Sequence, residues 1–197
     1  MDESELIRLA KDGDEGAFEA LVRGRYQRMY WIAYQVVGNA EEAKDVVQTV
    51  FIRLWKALDK YDSRYPFSTW LYRMVMNLAI DHLRRETRHR HVDEPDDERT
   101  VVPEAHGAGS TPARALADAE LQAVFDRLAA GLAPQQRAAF VLREVEDLST
   151  EEVAEILGVT PSTVRNHVFQ ARKALQTELA RRYPEYLPRG RKGTGHE

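Results

Sequence analysis

Ser149-Thr-Glu-Glu-Val-Ala-Glu-Ile-Leu-Gly-Val-Thr-Pro-Ser-Thr-Val-Arg-Asn-His-Val-Phe-Gln-Ala-Arg172 is the stretch that decides how this chain is read. Ser149, with Glu152 three residues on, is a capping-box pattern, and it opens a short helix over 151–157. Gly158 tolerates positive φ, so the chain can turn there. Thr160 followed by Pro161 opens a second, longer helix. Ala154 is small enough for the second helix to cross the first closely, and Val159, Val164 and Val168 are its apolar anchors. The spacings predict a helix-turn-helix whose second helix enters a DNA major groove. Ser162, Thr163, Arg165, Asn166, His167 and Gln170 are then free to face DNA. Arginine pairs with guanine and asparagine or glutamine with adenine, while Arg172 and Lys173 would hold phosphates. A plain helical hairpin would leave the same residues as a solvated polar face.

Helical periodicity extends outward from this motif. Leu116, Leu121, Val124, Phe125 and Leu128 recur at helical spacing up to Gly131, and Pro134 suits the first turn of a helix running to about Asp147. Between Val92 and about Pro112 the period disappears into acidic residues and helix breakers, the chemistry of a linker. Ahead of it, Asp14 can cap a helix ending at Gly38-Asn39. Asn39 with Glu42 predicts another capping box, and Ser68 is placed to cap a long helix through about Arg90. No strand-length alternation competes. The expected fold is all-α, with two small helical domains, 1–92 and 116–183, joined by a flexible acidic linker over 93–115. A basic, disordered tail over 184–197 follows.

The net charge of −4 is wrong for a nucleic-acid binder, but its distribution is not. Residues 84–91 and 158–183 are basic, and the linker between them is acidic. There is no cysteine, which removes disulfides, thiolate metal sites and cysteine nucleophiles. His82, His89 and His91 sit among arginines with no carboxylate cluster to complete a site, so neither metal nor cofactor is expected. Apolar runs are far too short to span a membrane, and the acidic start lacks the features of a secretory signal; a cytoplasmic address is expected. The region Tyr61, Arg64, Tyr65, Phe67, Trp70, Arg73 packs aromatics beside cations. Arg73, Asn77, Asp81, Arg84 and Arg88 share one helical face. Such a surface suits single-stranded DNA, yet buried aromatics and an arginine-rich helix end explain the composition equally well.

Taken together, the segments resemble the ECF (extracytoplasmic-function) sigma factors over about residues 5–183. The matching stretches are 14–22, 42–55, Phe67-Ser-Thr-Trp-Leu-Tyr-Arg73, Asn77-Leu-Ala-Ile-Asp-His-Leu-Arg84 and Leu148-Ser-Thr-Glu-Glu-Val-Ala154. The resemblance implies a non-enzymatic subunit that binds core RNA polymerase at its largest-subunit clamp and flap regions. Asp45, Gln48, Thr49, Ile52, Arg53 and Trp55 would supply the clamp contact. It further implies that the loop from Tyr61 to Phe67 and the helix after it open the −10 element and capture a flipped base. Asn77 would line that pocket, with Arg73, Arg84 and Arg85 near it. The helix-turn-helix would read the −35 element in duplex DNA, although His167 and Gln170 stand where many members carry arginine. The acidic linker would thread the polymerase channel that later carries RNA. An anti-sigma factor is the implied regulator, with no membrane contact of the chain's own.

Two other classes compete. Thr163–Val168 also resembles the recognition helix of LuxR-type transcriptional regulators, but residues 1–92 lack the strand–helix alternation of a receiver domain. A DNA-acting enzyme finds no metal-ligand arrangement among the carboxylates.

Overall fold

The computed structural model describes residues 1–90 and 112–184, with side chains described except at 87–90 and 112–119. Among these residues every regular element is helical. Helices α1 (Glu3–Lys11), α2 (Glu15–Val37), α3 (Ala40–Ala57) and α4 (Phe67–Arg90) form a first unit. Helices α5 (Pro112–Ala129), α6 (Pro134–Phe140), α7 (Thr150–Leu157) and α8 (Pro161–Arg182) form a second. Most of the expected acidic linker, and the tail beyond Pro184, lie outside the described residues; helix α5 begins four residues ahead of Leu116.

Side-chain caps fix most of the boundaries, because the first amides of a helix lack partners within it. Asp14 accepts from the Ala17 amide at 2.9 Å, and Gly38 ends α2 in the left-handed region at φ 77°. Asn39 accepts from the Glu41 and Glu42 amides. The other half of the expected capping box is not made, because the Glu42 carboxylate turns away towards His82 on α4. Ser68 is not a cap either: α4 starts at Phe67, and the Pro66 carbonyl accepts from Thr69 and Trp70.

The expected unbroken helix from Pro134 to Asp147 gives way after Phe140. The chain widens into a π turn over Val141–Val145, with the Glu146 amide donating to the Val141 carbonyl at 3.0 Å. Asp147 then adopts φ 53°, rare for a residue with a Cβ. This turn keeps Val141 and Leu142 wholly buried while aiming Glu146 across the boundary between the units.

The units share one core. Val36, Val47, Leu54, Leu71, Val75 and Met76 from the first pack in the same buried cluster as Ala138, Leu142, Val153 and Ile156 from the second. Polar contacts cross with them, Tyr34 to Asp126 and Gln35 to Gln122 among them. Glu146, only 7% exposed in its side chain, accepts from Arg28 Nη2 at 2.8 Å and from the Tyr72 hydroxyl at 3.2 Å. Arg73 Nη2 donates to the Glu155 carbonyl at 2.6 Å, a favourable place for a cation near the end of α7. Arg137, buried on α6, donates through Nε to the Gln35 carbonyl and through Nη2 to Asp126, both at 2.8 Å.

Candidate nucleic-acid interface

Helices α7 and α8 form the expected helix-turn-helix, and each expected feature has its structural counterpart. Ser149 and Glu152 make a complete capping box; the bonds from Ser149 hold the Glu152 carboxyl below its usual range. Gly158 turns the chain at φ 66°. Thr160 accepts from the Thr163 amide, and Pro161 occupies the first turn. Ala154, Val164 and Val168 are buried and Val159 half-buried, which turns Arg165, Asn166 and Gln170 outward.

Not every candidate on this helix is equally available. Arg165, Asn166, Gln170 and Lys173 are exposed. The Ser162 and Thr163 hydroxyls both lie 2.8 Å from Thr160 Oγ1, so they serve the cap. Arg172 is paired with Glu144 at 2.7 Å. His167 is half-buried, and its Nε2 is shielded from solvent without a hydrogen-bond partner. Sequence reasoning overlooked Phe169, which is 61% exposed in the middle of this basic surface.

In the first unit the aromatic loop is built largely by itself. The Tyr61 ring stacks on Trp70 at 5.3 Å and meets the Phe67 edge at 5.2 Å, and its hydroxyl donates to the Tyr65 carbonyl at 2.6 Å. Tyr61 and Phe67 are buried and Trp70 is half-buried, whereas Tyr65 stands 54% exposed. Arg64 is held by Asp62, and their hydrogen bonds pull the Asp62 carboxyl down to about 2. Along α4, Arg73, Asn77, Asp81, Arg84 and Arg85 all face outward, as the helical spacing predicts, but Arg73 is engaged with α7.

On α3, Asp45, Gln48, Ile52, Arg53 and Trp55 face solvent and Thr49 is half-buried. Ile52 is 49% exposed and Trp55 39%. With Phe18, Val22, Tyr26 and Phe51 they line an open groove of about 680 Å³ between α2 and α3. Trp55 is not a core residue; it leans on Phe18 with ring centroids 4.7 Å apart. Apolar residues left facing water along a groove are a feature of interaction and ligand-binding surfaces.

The expectation that no carboxylates gather around the histidines needs correction. Glu42 and Glu86 flank His82, and one ligand atom from each lies within 4.8 Å of the others. Glu86 is readable from sequence as the residue four beyond His82. Glu42, forty positions earlier, is not.

A protein whose described elements are all helical, the last two forming a helix-turn-helix that presents arginine, asparagine and glutamine to solvent, is built as a DNA-binding protein. Comparison with known proteins narrows this. Sigma-70 region 2 matches residues 21–89, and Sigma-70, region 4 matches residues 122–175. The ECF RNA polymerase sigma factor SigW of Bacillus subtilis is 31% identical over 176 residues, covering 88% of this chain and 94% of that protein. Among solved structures, CnrH in complex with the cytosolic domain of CnrY superposes with a TM-score of 0.65 at 24% identity, covering 92% and 99% of the two chains. The sigma factor RpoE, in complex with the anti-sigma factor NepR from Bartonella quintana, gives 0.62 at 21% identity, covering 82% and 96%. The chain belongs to the ECF sigma factors of the sigma-70 family, a family of transcription initiation factors rather than enzymes. No helix among the described residues is long and apolar enough to cross a membrane.

Proposed function

We propose that the chain docks on core RNA polymerase through α3, reads the −35 element with α8, and opens and holds the −10 element with the loop from Tyr61 to Phe67 and the outer face of α4. In this reading residues 1–92 form the core- and −10-binding domain and 116–183 the −35-binding domain. The groove bearing Ile52 and Trp55 carries the proposal. A regulator that acts on DNA by itself has no need of a second apolar docking face remote from its recognition helix. Tyr65, Asn77 and Arg85 are outward residues available to unstacked bases and their backbone, with Arg84, which pairs with Asp81, beside them. Arg165, Asn166 and Gln170 are those available to base edges.

The packed arrangement is then the form free of promoter. Elements centred about 25 base pairs apart lie on the order of 80 Å apart at about 3.4 Å per base pair. A compact chain of this length is roughly 45 Å across. The units must part for both elements to be read together, breaking the Arg28–Glu146 and Arg73–Glu155 contacts. An anti-sigma protein is the expected antagonist, supported by the partner of the RpoE structure, and the groove is the surface it would mask.

The test is a promoter gel shift with and without sigma-free core polymerase. A specific complex should form only with core, and Ile52→Asp should abolish it while leaving helicity intact. Specific binding of the chain alone to duplex DNA, unaffected by Ile52→Asp, would instead identify a stand-alone regulator.

A further inference from the structure

Glu42, His82 and Glu86 converge where the beginning of α3 meets the later turns of α4. His82 and Glu86 are four residues apart and share a helix face. Glu42 enters from the opposite side. Asn39 takes its amide, while its carboxylate Oε2 lies 2.9 Å from His82 Nε2. Both atoms are shut off from solvent, and neither has a hydrogen-bond partner. Two desolvated donor atoms this close, oriented so that they make no well-aligned hydrogen bond to each other, are arranged as ligands to one cation.

In the tetrahedral arrangement zinc prefers, ligands about 2.0–2.1 Å from the metal lie about 3.3–3.4 Å apart. The 2.9 Å pair has to open by about half an ångström, and spacings that reach up to 4.8 Å have to close by up to about 1.5 Å. Glu86 is the ligand that has to swing, because it has other interactions and feels Arg137. One imidazole and two carboxylates, without thiolate, suit a first-row divalent ion and disfavour magnesium.

We propose that Glu42, His82 and Glu86 bind one divalent cation of the zinc class and thereby staple α3 to α4. Water fills the remaining coordination positions, and the ion offsets the two carboxylates across the helix boundary. The inference rests on this geometry alone, so metal binding and promoter activity can fail separately.

Full-length protein, stripped with chelator, is titrated with zinc chloride by calorimetry and melted with and without zinc, with magnesium chloride as comparison. One equivalent should bind. At a hundredfold excess over Kd, Tm should rise by about 5–10 °C, and magnesium should do neither. Glu42→Gln and His82→Asn should each weaken zinc binding at least fivefold and remove the rise in Tm. The Glu42→Gln side chain is isosteric and its cap is untouched, so its zinc-free melt reports that the fold survives. A His89→Asn/His91→Asn protein should keep the site. Absence of the bound equivalent, or zinc binding by Glu42→Gln within fivefold of the parent, overturns the proposal.

Discussion

Replacing Arg137 with methionine removes a cation that almost no solvent reaches: its side chain is 6% exposed. The guanidinium spans the two units, bonding the Gln35 carbonyl near the end of α2 and Asp126 on α5, with the Phe125 ring 5.7 Å away. Methionine fills much of the volume but leaves that carbonyl without its donor and Asp126 without its cation. Breaking one side of a buried pair costs about 3–5 kcal/mol, which at this length lowers Tm on the order of 10 °C. The charge left behind makes the loss depend on pH. Burial already holds the Asp126 carboxyl above its ordinary 3.8, against the downward pull of Arg137. Without Arg137 it rises further. A carboxyl raised in the folded state stabilises most below its unfolded value, and that contribution is lost as pH rises through the folded value. The deficit is therefore full at pH about 7.5 and shrinks on acidification towards Asp126's raised value. Adding Asp126→Asn keeps an acceptor for one of Tyr34 and Gln122, which donate to different Asp126 oxygens, while removing the orphaned charge, and should restore about half of the loss. Urea unfolding followed by circular dichroism measures each case. A loss below about 1 kcal/mol for Arg137→Met, or one equal at pH 7.5 and pH 5, would refute the reasoning.

Three further outcomes follow from local structure. Gly158→Ala meets no atom within 4 Å, so its cost is the backbone strain of positive φ alone, about 1–2 kcal/mol by denaturation; a neutral change would mean the turn relaxes. Ser149→Ala removes the acceptor for the Glu152 amide and should cost about 1 kcal/mol, measured the same way, with a loss below about 0.3 kcal/mol showing that the cap is dispensable. Arg165→Ala should weaken promoter binding by about 1–3 kcal/mol in a holoenzyme footprint with a mutated −35 element as control, while core affinity stays unchanged. Equal loss of both would remove α8 from its assigned role.

The all-helical fold and the outward face of α8 were legible because their causes are local. Asp14, Asn39, Ser149 and Thr160 cap helices from within three residues, and Val164 and Val168 set the face of α8 by their spacing. What escaped is long-range. Glu146 reaches Arg28 across 118 positions, Arg137 reaches Gln35 across 102, and periodicity carries no trace of either. The π turn that delivers Glu146 is a widening of a helix whose pattern still reads as regular. Glu42 had a local role on offer, the capping box, and a distant histidine took its carboxylate instead. Trp55 was readable as core or as contact, and the structure puts it at the surface, leaning on Phe18.

The proposed function requires this chain to direct RNA polymerase to promoters. Purified protein is added to sigma-free core polymerase with genomic DNA, and the 5′ ends of the transcripts are sequenced. New starts that depend on the protein and share two spaced upstream motifs are the predicted result. Starts identical to those of core alone, from a protein that still binds duplex DNA by itself, would contradict it.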